Sequence, residues 1–178
     1  MALFIEHDYE HVSIEDILRS AGVSRGALYH HFPSKLDVFE AVYDRGESDL
    51  VADLASLMGD ATGPLDALAR ATHAYLVLCE TSPYLRRIGL GQSQRVFGWE
   101  RWRRAAMRHG LGLVIALVGA AMDAGELAPR DPELTGQLLL APLIEGALLV
   151  LAADDPASVR AEVEDLITTL LQGLCAPQ

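Results

Sequence analysis

Two short helical segments that meet at a single glycine limit this chain to a small set of folds. Ser13, with an acid three residues later, begins a run of helical apolar spacing that stops at Gly22, which is the pattern of a capping box and a C-terminal glycine. Ser24 begins a second short helix, and Pro33 ends it because the residue before a proline disfavours the helical conformation. These signals predict a helix-turn-helix over about residues 13–32.

The remaining sequence predicts helices and almost no strands. Stretches that alternate apolar and polar residues are nearly absent, whereas apolar residues recur at helical spacing between prolines and glycines. We therefore expect an all-α protein with a small N-terminal unit over 1–45 and a larger helical unit over 46–178. Further helices are predicted over 34–59, 64–81, 83–92, 97–124, 132–153 and 156–175, and the first is long enough to connect the two units.

The charge of the N-terminal unit differs from that of the whole chain. The protein carries a formal net charge of −11, which argues against a surface coated with basic residues for indiscriminate nucleic-acid binding. Residues 17–36 nevertheless contain two arginines, one lysine and no acid, which is the local basic footprint of a nucleic-acid-binding element. The 1–45 unit is therefore predicted to be a DNA-binding domain, and the alternative is a packing corner between two helices.

The second helix of the motif carries most of the residues predicted to contact DNA. Arg25, Gly26 and Ala27 fall in its first turn, the part that meets base edges when such a helix enters the major groove. Side chains on its flank are expected to contact phosphates, which positions the helix without reading the sequence. The full predicted set is Ser24, Arg25, Gly26, Ala27, Tyr29, His30, His31 and Lys35.

Aromatic residues in the larger unit indicate a candidate ligand cavity, and an ordinary core is the alternative. Such cavities are lined by apolar and aromatic side chains with a few polar groups. Seven arginines and one acid lie over 86–108, and we interpret them as a solvated or salt-bridged face rather than a grip on an acidic effector. The residues predicted to line the cavity are Tyr75, Tyr84, Phe97, Trp99, Trp102 and Met107.

The last two predicted helices carry more apolar surface than one core of this size covers. The segment 132–153 is apolar nearly all round, and 156–175 has a wide apolar stripe. We expect a two-fold four-helix bundle between two copies of the chain. One alternative is a monomer in which both helices are internal. The other is a membrane span, and Glu145 in the middle of the segment disfavours it. The predicted interface residues are Leu134, Leu138, Leu148, Val163, Ile167, Leu170, Leu171 and Leu174.

Other functional classes find little support in the sequence. Two cysteines, Cys79 and Cys175, form no C-x-x-C pair, so we expect a reducing, cytoplasmic chain without a disulfide scaffold or a zinc site. His7 and His11 are not expected to bind a metal, because the chain should turn between them. The sequence offers no recognisable catalytic residues, so we expect no enzyme activity and no cofactor. The first eleven residues carry acids and histidines where a secretory signal needs a basic start and a longer apolar run, so we expect no export signal.

The N-terminal unit resembles the DNA-binding unit of the TetR family of bacterial transcriptional repressors. The run Val23 to Lys35 reads V-S-x-x-x-L-Y-x-H-F-x-S-K, and the resemblance is strong over about residues 2–45 and looser over 83–175. It implies a homodimeric, all-helical repressor whose C-terminal domain binds a small molecule. In the family, the positions that match Arg25, Gly26, Tyr29, His30 and His31 lie on the DNA face, and the one that matches Lys35 touches a phosphate.

With this resemblance, the chain is expected to be a ligand-responsive transcriptional regulator that a small-molecule effector releases from its operator. Its expected partners are double-stranded operator DNA, that effector and a second copy of the chain, with no membrane. The resemblance also implies a full first helix after a basic arm, of which Met1 to Phe4 matches only the end, so we expect about a dozen upstream residues to be absent and operator affinity to be reduced. The alternative is a helical ligand-binding interaction module without effective DNA binding.

Overall fold

The computed structural model describes residues 1–176, and the all-α prediction is confirmed for them: they form helices and, apart from one isolated bridge between Leu127 and Cys175, no β-structure. The N-terminal elements are α1 (Ala2–Glu6), a 3₁₀ turn (Tyr9–His11), α2 (Ile14–Ala21), α3 (Arg25–His31) and α4 (Lys35–Leu57). The later elements are α5 (Pro64–Thr81), a π-helical segment (Leu85–Gln92), α6 (Ser93–Phe97), α7 (Trp99–Asp123), α8 (Pro132–Ala152) and α9 (Pro156–Gln172).

The helix-turn-helix forms where the capping signals predict it. The Ser13 hydroxyl accepts a hydrogen bond from the Asp16 N–H at 3.1 Å, and the Asp16 carboxylate accepts one from the Ser13 N–H at 3.1 Å. Gly22 ends α2 with φ +66°, a conformation that costs a glycine little and other residues more. Ser24 and Ser34 cap α3 and α4 through their hydroxyls, so each helix begins within one residue of its predicted start.

A small core fixes the orientation of α3 in the N-terminal unit. Ile17 of α2, Leu28 of α3 and Val38 of α4 are buried together with Phe4 and Phe39. The Phe4 and Phe39 rings meet edge to face with centroids 5.1 Å apart, an arrangement that adds to the free energy of burial. Because Leu28 anchors α3 by one side, the other side of that helix faces outward.

Helix α4 continues without a break through residue 45, where the sequence predicted a domain boundary. Its N-terminal half is part of the helix-turn-helix core, and its C-terminal half buries Leu50 and Leu54 in the larger unit. The division into 1–45 and 46–178 therefore stays a prediction, since one helix belongs to both units.

The larger unit is a bundle in which α8 packs closely against α7 and α9. Glycines permit these approaches: a Cβ at Gly146 would lie 2.4 Å from the Val163 side chain, and one at Gly136 would lie 3.0 Å from Ile115. Asp131 and Asp155 cap α8 and α9. Side chains larger than hydrogen at these two glycines would push the helices apart.

The segment predicted as a plain helix over 83–92 is π-helical from Leu85 to Gln92. A Cβ at Gly91 would lie 2.3 Å from the Arg86 carbonyl oxygen, so the wide turn depends on a glycine there. The indole N–H of Trp102 donates to the Gly89 carbonyl at 3.1 Å. This bond fixes the segment on α7, and such π-turns recur at functional sites in other proteins.

Candidate DNA-binding surface and ligand cavity

The predicted recognition residues lie together on the exposed side of α3. Leu28 is the buried residue of this helix, and the Ser24 hydroxyl caps it by accepting from the Ala27 N–H at 3.2 Å. Its first turn carries no acidic side chain. Seven predicted residues are exposed: Ser24, Arg25, Gly26, Ala27, Tyr29, His30 and His31.

Arg25 forms an ion pair with Glu15 of α2 across the turn. Both side chains are more than half exposed, and pairs of this kind contribute about 0 to 1 kcal/mol because water and salt screen them. The guanidinium can therefore exchange this carboxylate for a phosphate or a base edge at little cost in free energy.

Lys35 occupies a different environment from the other predicted DNA contacts. Its ammonium donates to the Tyr9 carbonyl at 2.8 Å and the Val12 carbonyl at 3.0 Å, and it lies 4.1 Å from the centroid of the Tyr9 ring. These bonds hold the 3₁₀ turn against the start of α4. Within the described residues the lysine thus has a structural role, and its predicted phosphate contact stays a prediction.

Gln92 joins the N-terminal unit to the larger one through a buried amide, a role that sequence analysis missed. Its Nε2 donates to the Phe4 carbonyl at 2.7 Å, and its Oε1 accepts from the Tyr9 N–H at 2.6 Å. The side chain is 3% exposed. No motif or spacing around Gln92 predicts a buried side chain, so only the tertiary fold reveals this contact.

The arginines of the 86–108 region supply further contacts between the two units. Arg87 donates to the Ile5 carbonyl at 3.0 Å and approaches Asp8 at 3.3 Å, and Arg101 pairs with Glu40 of α4. Arg95 lies 3.9 Å from Glu10, a longer approach. The interpretation of these arginines as a salt-bridged face is confirmed for Arg87, Arg95 and Arg101. The carboxylates with which they pair belong to the N-terminal unit.

A cavity of about 70 Å³ lies in the larger unit between α4, α5, α7 and α8. Its wall is mostly aliphatic, with Leu, Val, Ala and Ile side chains from all four helices. Glu47, Thr72 and Tyr75 are the polar side chains that line it among the described residues. The Thr72 hydroxyl donates to the Leu68 carbonyl at 2.9 Å, so it can only accept from a ligand, and Glu47 and Tyr75 are the ionisable groups on the wall.

Glu47 is held at the cavity wall by Tyr84. The Tyr84 hydroxyl lies 2.8 Å from Glu47 Oε1 and 3.0 Å from the Tyr43 carbonyl oxygen. Burial raises the pKa of the Glu47 carboxyl above its ordinary value, and the hydrogen bond from Tyr84 and the nearby His109 oppose that shift. The cavity therefore contains an acid that is easier to protonate than one in water.

Of the residues predicted to line a ligand cavity, Tyr75 lies on this wall, and the structure places the others elsewhere. Trp102 is buried in the core, and Trp99 points outward with 56% of its surface exposed. Phe97 packs on Phe39 and Tyr43. Tyr84 supports Glu47 from behind, and Met107 is half-buried outside the cavity lining. Large aromatic side chains fill the space around the π-helical segment, and the cavity lies where smaller aliphatic residues leave room.

The predicted dimer residues divide between two sides of α8 and α9. Val163, Ile167 and Leu171 are buried within the subunit, so the structure corrects their assignment to an intersubunit face. Leu148 and Leu174 are half-buried. Five leucines form an exposed set, here called the leucine face: Leu134, Leu138 and Leu170, which were predicted, and Leu149 and Leu166, which were not.

Two further features concern functional classes that the sequence disfavoured. Helices α7 and α8 are long and apolar enough to cross a membrane by length and composition, although part of each is buried against the bundle. Helices of a protein core pass the same test. Within residues 1–176, no group of three or more His, Cys, Asp or Glu side chains is arranged to hold a metal ion.

Two family models match the chain. The model described as "Bacterial regulatory proteins, tetR family" matches residues 1–42. The model described as "Tetracyclin repressor-like, C-terminal domain" matches residues 65–174. Together they cover the helix-turn-helix and most of the larger unit.

Curated relatives span most of the chain at low identity. The Transposon Tn10 TetC protein of Escherichia coli is 27% identical over 138 residues, which are 77% of this chain and 68% of that protein. The A-factor receptor protein of Streptomyces griseus is 26% identical, and the match covers 99% of this chain but 61% of the receptor. The HTH-type transcriptional repressor BepR of Brucella suis is 28% identical over 98% of this chain and 88% of its own length.

Solved structures share the whole fold. A TetR-family transcriptional regulator from Pectobacterium atrosepticum superposes with a TM-score of 0.82 at 25% identity, covering 99% of this chain and 90% of that one. The fatty acid degradation regulator FadR from Bacillus halodurans has a TM-score of 0.71 at 21% identity, covering 97% of this chain and 91% of that one. The second likeness is one of fold alone.

Proposed function

The chain belongs to the TetR family of bacterial regulatory proteins, and we propose that it is a homodimeric repressor that a small-molecule effector releases from operator DNA. Members of this family are ligand-responsive DNA-binding transcriptional regulators. The match of the DNA-binding model to residues 1–42 favours this function over an interaction module without DNA binding. A regulator that acts on operator DNA works in the cytoplasm, so we propose that location.

The observation that carries the proposal is the exposed, acid-free first turn of α3. Arg25, Gly26 and Ala27 would approach base edges there, since the small second and third residues allow the helix close to the groove floor. The side chains that would flank them toward the phosphates are Ser24, Tyr29, His30 and His31. Lys35 would add a further phosphate contact through the N–H of its ammonium that does not bond the Tyr9 or Val12 carbonyl.

The leucine face supports a two-fold dimer through α8 and α9. Five leucines on these two helices are each more than half exposed, and clustered apolar surface of this kind marks an interaction site. A two-fold pairing buries the same surface on both subunits. It would also hold two α3 helices at the separation of successive major-groove turns, about 34 to 36 Å.

The contacts between the two units support release by the effector. The cavity contains Glu47 of α4, and Tyr84 connects that residue to the π-helical segment. The far end of the segment is Gln92, which holds Phe4 and Tyr9 of the N-terminal unit. An effector that binds better when these elements are displaced shifts the population toward dimers with wrongly spaced α3 helices.

Arg25→Ala is expected to weaken operator binding about 5- to 150-fold, because a base contact by arginine is worth about 1 to 3 kcal/mol. The loss should be larger for the operator than for a scrambled duplex of equal length. Fluorescence anisotropy measures both, using a duplex selected from genomic fragments that the wild-type protein retains. A salt titration should give a steep negative slope of log affinity against log salt for the wild-type protein.

Arg103→Ala is the matched control, since it removes the same charge from an exposed position on α7. It should leave the preference for the operator over the scrambled duplex unchanged. Equal losses for the two variants would contradict a specific role of α3, and a wild-type protein that retains no duplex would overturn the proposed function.

A further inference from the structure

We propose that the effector cavity takes an apolar molecule that carries one positively charged nitrogen, and that this ammonium group pairs with Glu47. The inference rests on the proposed function, because it names the chemical class of the ligand for the same cavity. The observation behind the inference is that the Glu47 carboxylate lies in a cavity wall that is otherwise mostly aliphatic.

The cavity offers a ligand almost only hydrocarbon contacts. Aliphatic side chains of α5, α7 and α8 surround it, and within the described residues no lysine or arginine lines it. The body of a ligand that fits there must be apolar, since an unpaired polar group in such a site costs free energy. The polar group of the ligand therefore has to reach Glu47, Tyr75 or the Thr72 hydroxyl oxygen, and Glu47 is the acidic side chain among them.

The Glu47 carboxylate is fixed in position and incompletely bonded. Its side chain is 9% exposed, and within the described residues its one hydrogen bond comes from the Tyr84 hydroxyl to Oε1 at 2.8 Å. The Tyr84 ring is seated between two glycines: a Cβ at Gly46 would lie 2.1 Å from it, and one at Gly89 would lie 3.3 Å from it. The tyrosine therefore holds Oε1 in place, and within the described residues no hydrogen bond involves Oε2.

The charges around Glu47 favour a cation over an anion. His109 on α7 is the positive group that acts on Glu47, and it is paired with the Asp44 carboxylate on α4 at 2.8 Å. Tyr75 and Tyr84 face Glu47 as neutral phenols, and Arg108 acts on the neighbouring Tyr43. A buried carboxylate without a partner is costly, whereas one paired with an ammonium gains a charge-assisted hydrogen bond. A ligand carboxylate would add a second negative charge to the same end of the cavity.

Binding of an amine should be linked to the loss of a proton from Glu47. Burial raises the pKa of this carboxyl, so part of the free protein carries the proton at a pH where an exposed glutamate would be ionised. Because the ammonium pairs with the ionised form, amine affinity should increase as the pH rises through the raised pKa of Glu47. A neutral ligand of the same size should show no such increase.

Isothermal titration of the full chain with n-octylamine, octan-1-ol and octanoate tests the inference, because the three probes share an unbranched eight-carbon skeleton and carry a positive, a neutral and a negative head group. We expect the wild-type protein to bind the amine at least tenfold more tightly than the alcohol, and the alcohol more tightly than octanoate. Glu47→Gln keeps the acceptor for Tyr84 and should reduce the amine to the affinity of the alcohol. Asp53→Asn removes a charge from an exposed position on the same helix and should keep the preference for the amine.

Other outcomes overturn the inference. These are a tightest affinity for octanoate, equal affinities for the three probes, absence of binding by all three, or a preference for the amine that survives Glu47→Gln. Thermal unfolding of Glu47→Gln confirms that the variant is folded, and since the substitution removes a buried acid we expect no loss of stability. Wild-type binding to the selected operator duplex is measured separately: if it persists while the amine shows no preference, this inference fails and the proposed function stands.

Discussion

A protein that carries Leu138→Glu and Leu170→Glu should sediment as a monomer and should bind its operator about 10²- to 10⁴-fold more weakly than the wild type. Both leucines are more than half exposed on the leucine face, so glutamate there does not disturb the core of the subunit. In the proposed dimer the four carboxylates would lie close together in an apolar interface, which opposes association. Monomers lose the linkage between two half-site contacts, and that linkage accounts for the size of the expected effect.

Analytical ultracentrifugation and operator anisotropy provide the two measurements. Leu57→Glu is the matched control, because Leu57 is equally exposed at the end of α4 and lies outside the leucine face. A control that also dissociates would show that the effect is not local. A double variant that still sediments as a dimer would rule out α8 and α9 as the interface. Leu171 is unsuitable for such a test, since its side chain is 6% exposed and a glutamate there would unfold the subunit.

Gln92→Leu should lower the free energy of unfolding by about 2 to 6 kcal/mol. The substitution preserves volume, but it leaves the Tyr9 N–H and the Phe4 carbonyl without the partners that the amide supplies. A buried donor or acceptor without a partner costs about 1 to 3 kcal/mol, and two are created here. Chemical denaturation measures the loss, and hydrogen exchange should accelerate most in α1 and the 3₁₀ turn.

Gln94→Leu is the control, because it removes a nearby glutamine amide whose nitrogen, unlike that of Gln92, makes no hydrogen bond among the described residues. The Gln94 Nε2 atom is buried and has no hydrogen-bond partner among the described residues, so its removal should be neutral or slightly stabilising. Equal destabilisation by the two substitutions would mean that Gln92 acts through packing alone. Faster exchange spread evenly over the whole chain would likewise contradict a local contact between the two units.

Local signals in the sequence predict most of the helix boundaries. Ser13, Ser24 and Ser34 each begin a helix because their hydroxyls satisfy a free backbone N–H, and this chemistry requires no knowledge of the fold. Prolines mark the starts of α5, α8 and α9 for a similar reason. The predicted DNA-contact residues on α3 rest on the same local information, and their role stays a prediction.

The buried side of α9 is harder to derive from sequence. Its apolar stripe is wide enough to include both Leu170 and Leu171, yet Leu171 packs inside the subunit and Leu170 faces outward. Periodicity defines a stripe but does not say which half of it meets another helix of the same chain. The close contact of Gly146 with Val163 determines that choice, and it exists only after α8 and α9 have packed.

Glu47 had a signal in the sequence that was missed. It stands four residues after Tyr43 and three before Leu50, so it shares the helix face of two apolar positions that are buried. A lone acid in an apolar stripe is unusual enough to indicate a ligand or a buried hydrogen bond. Gln92 offers no such clue, because its partners are backbone atoms more than eighty residues away.

The continuity of α4 sets the scale of the movement that the proposed effector would have to produce. Glu47 and Lys35 lie on one unbroken helix, and at 1.5 Å per residue the axial distance between them is about 18 Å. Tilting this rod by about 5° around Glu47 would swing its first turn by about 1.6 Å. In a symmetric pair the two swings add, giving a change of about 3 Å in a spacing that must match the repeat of the double helix. In the proposed dimer, a tilt of about 5° at the cavity would therefore be enough to change the spacing of the two DNA-binding units by about 3 Å.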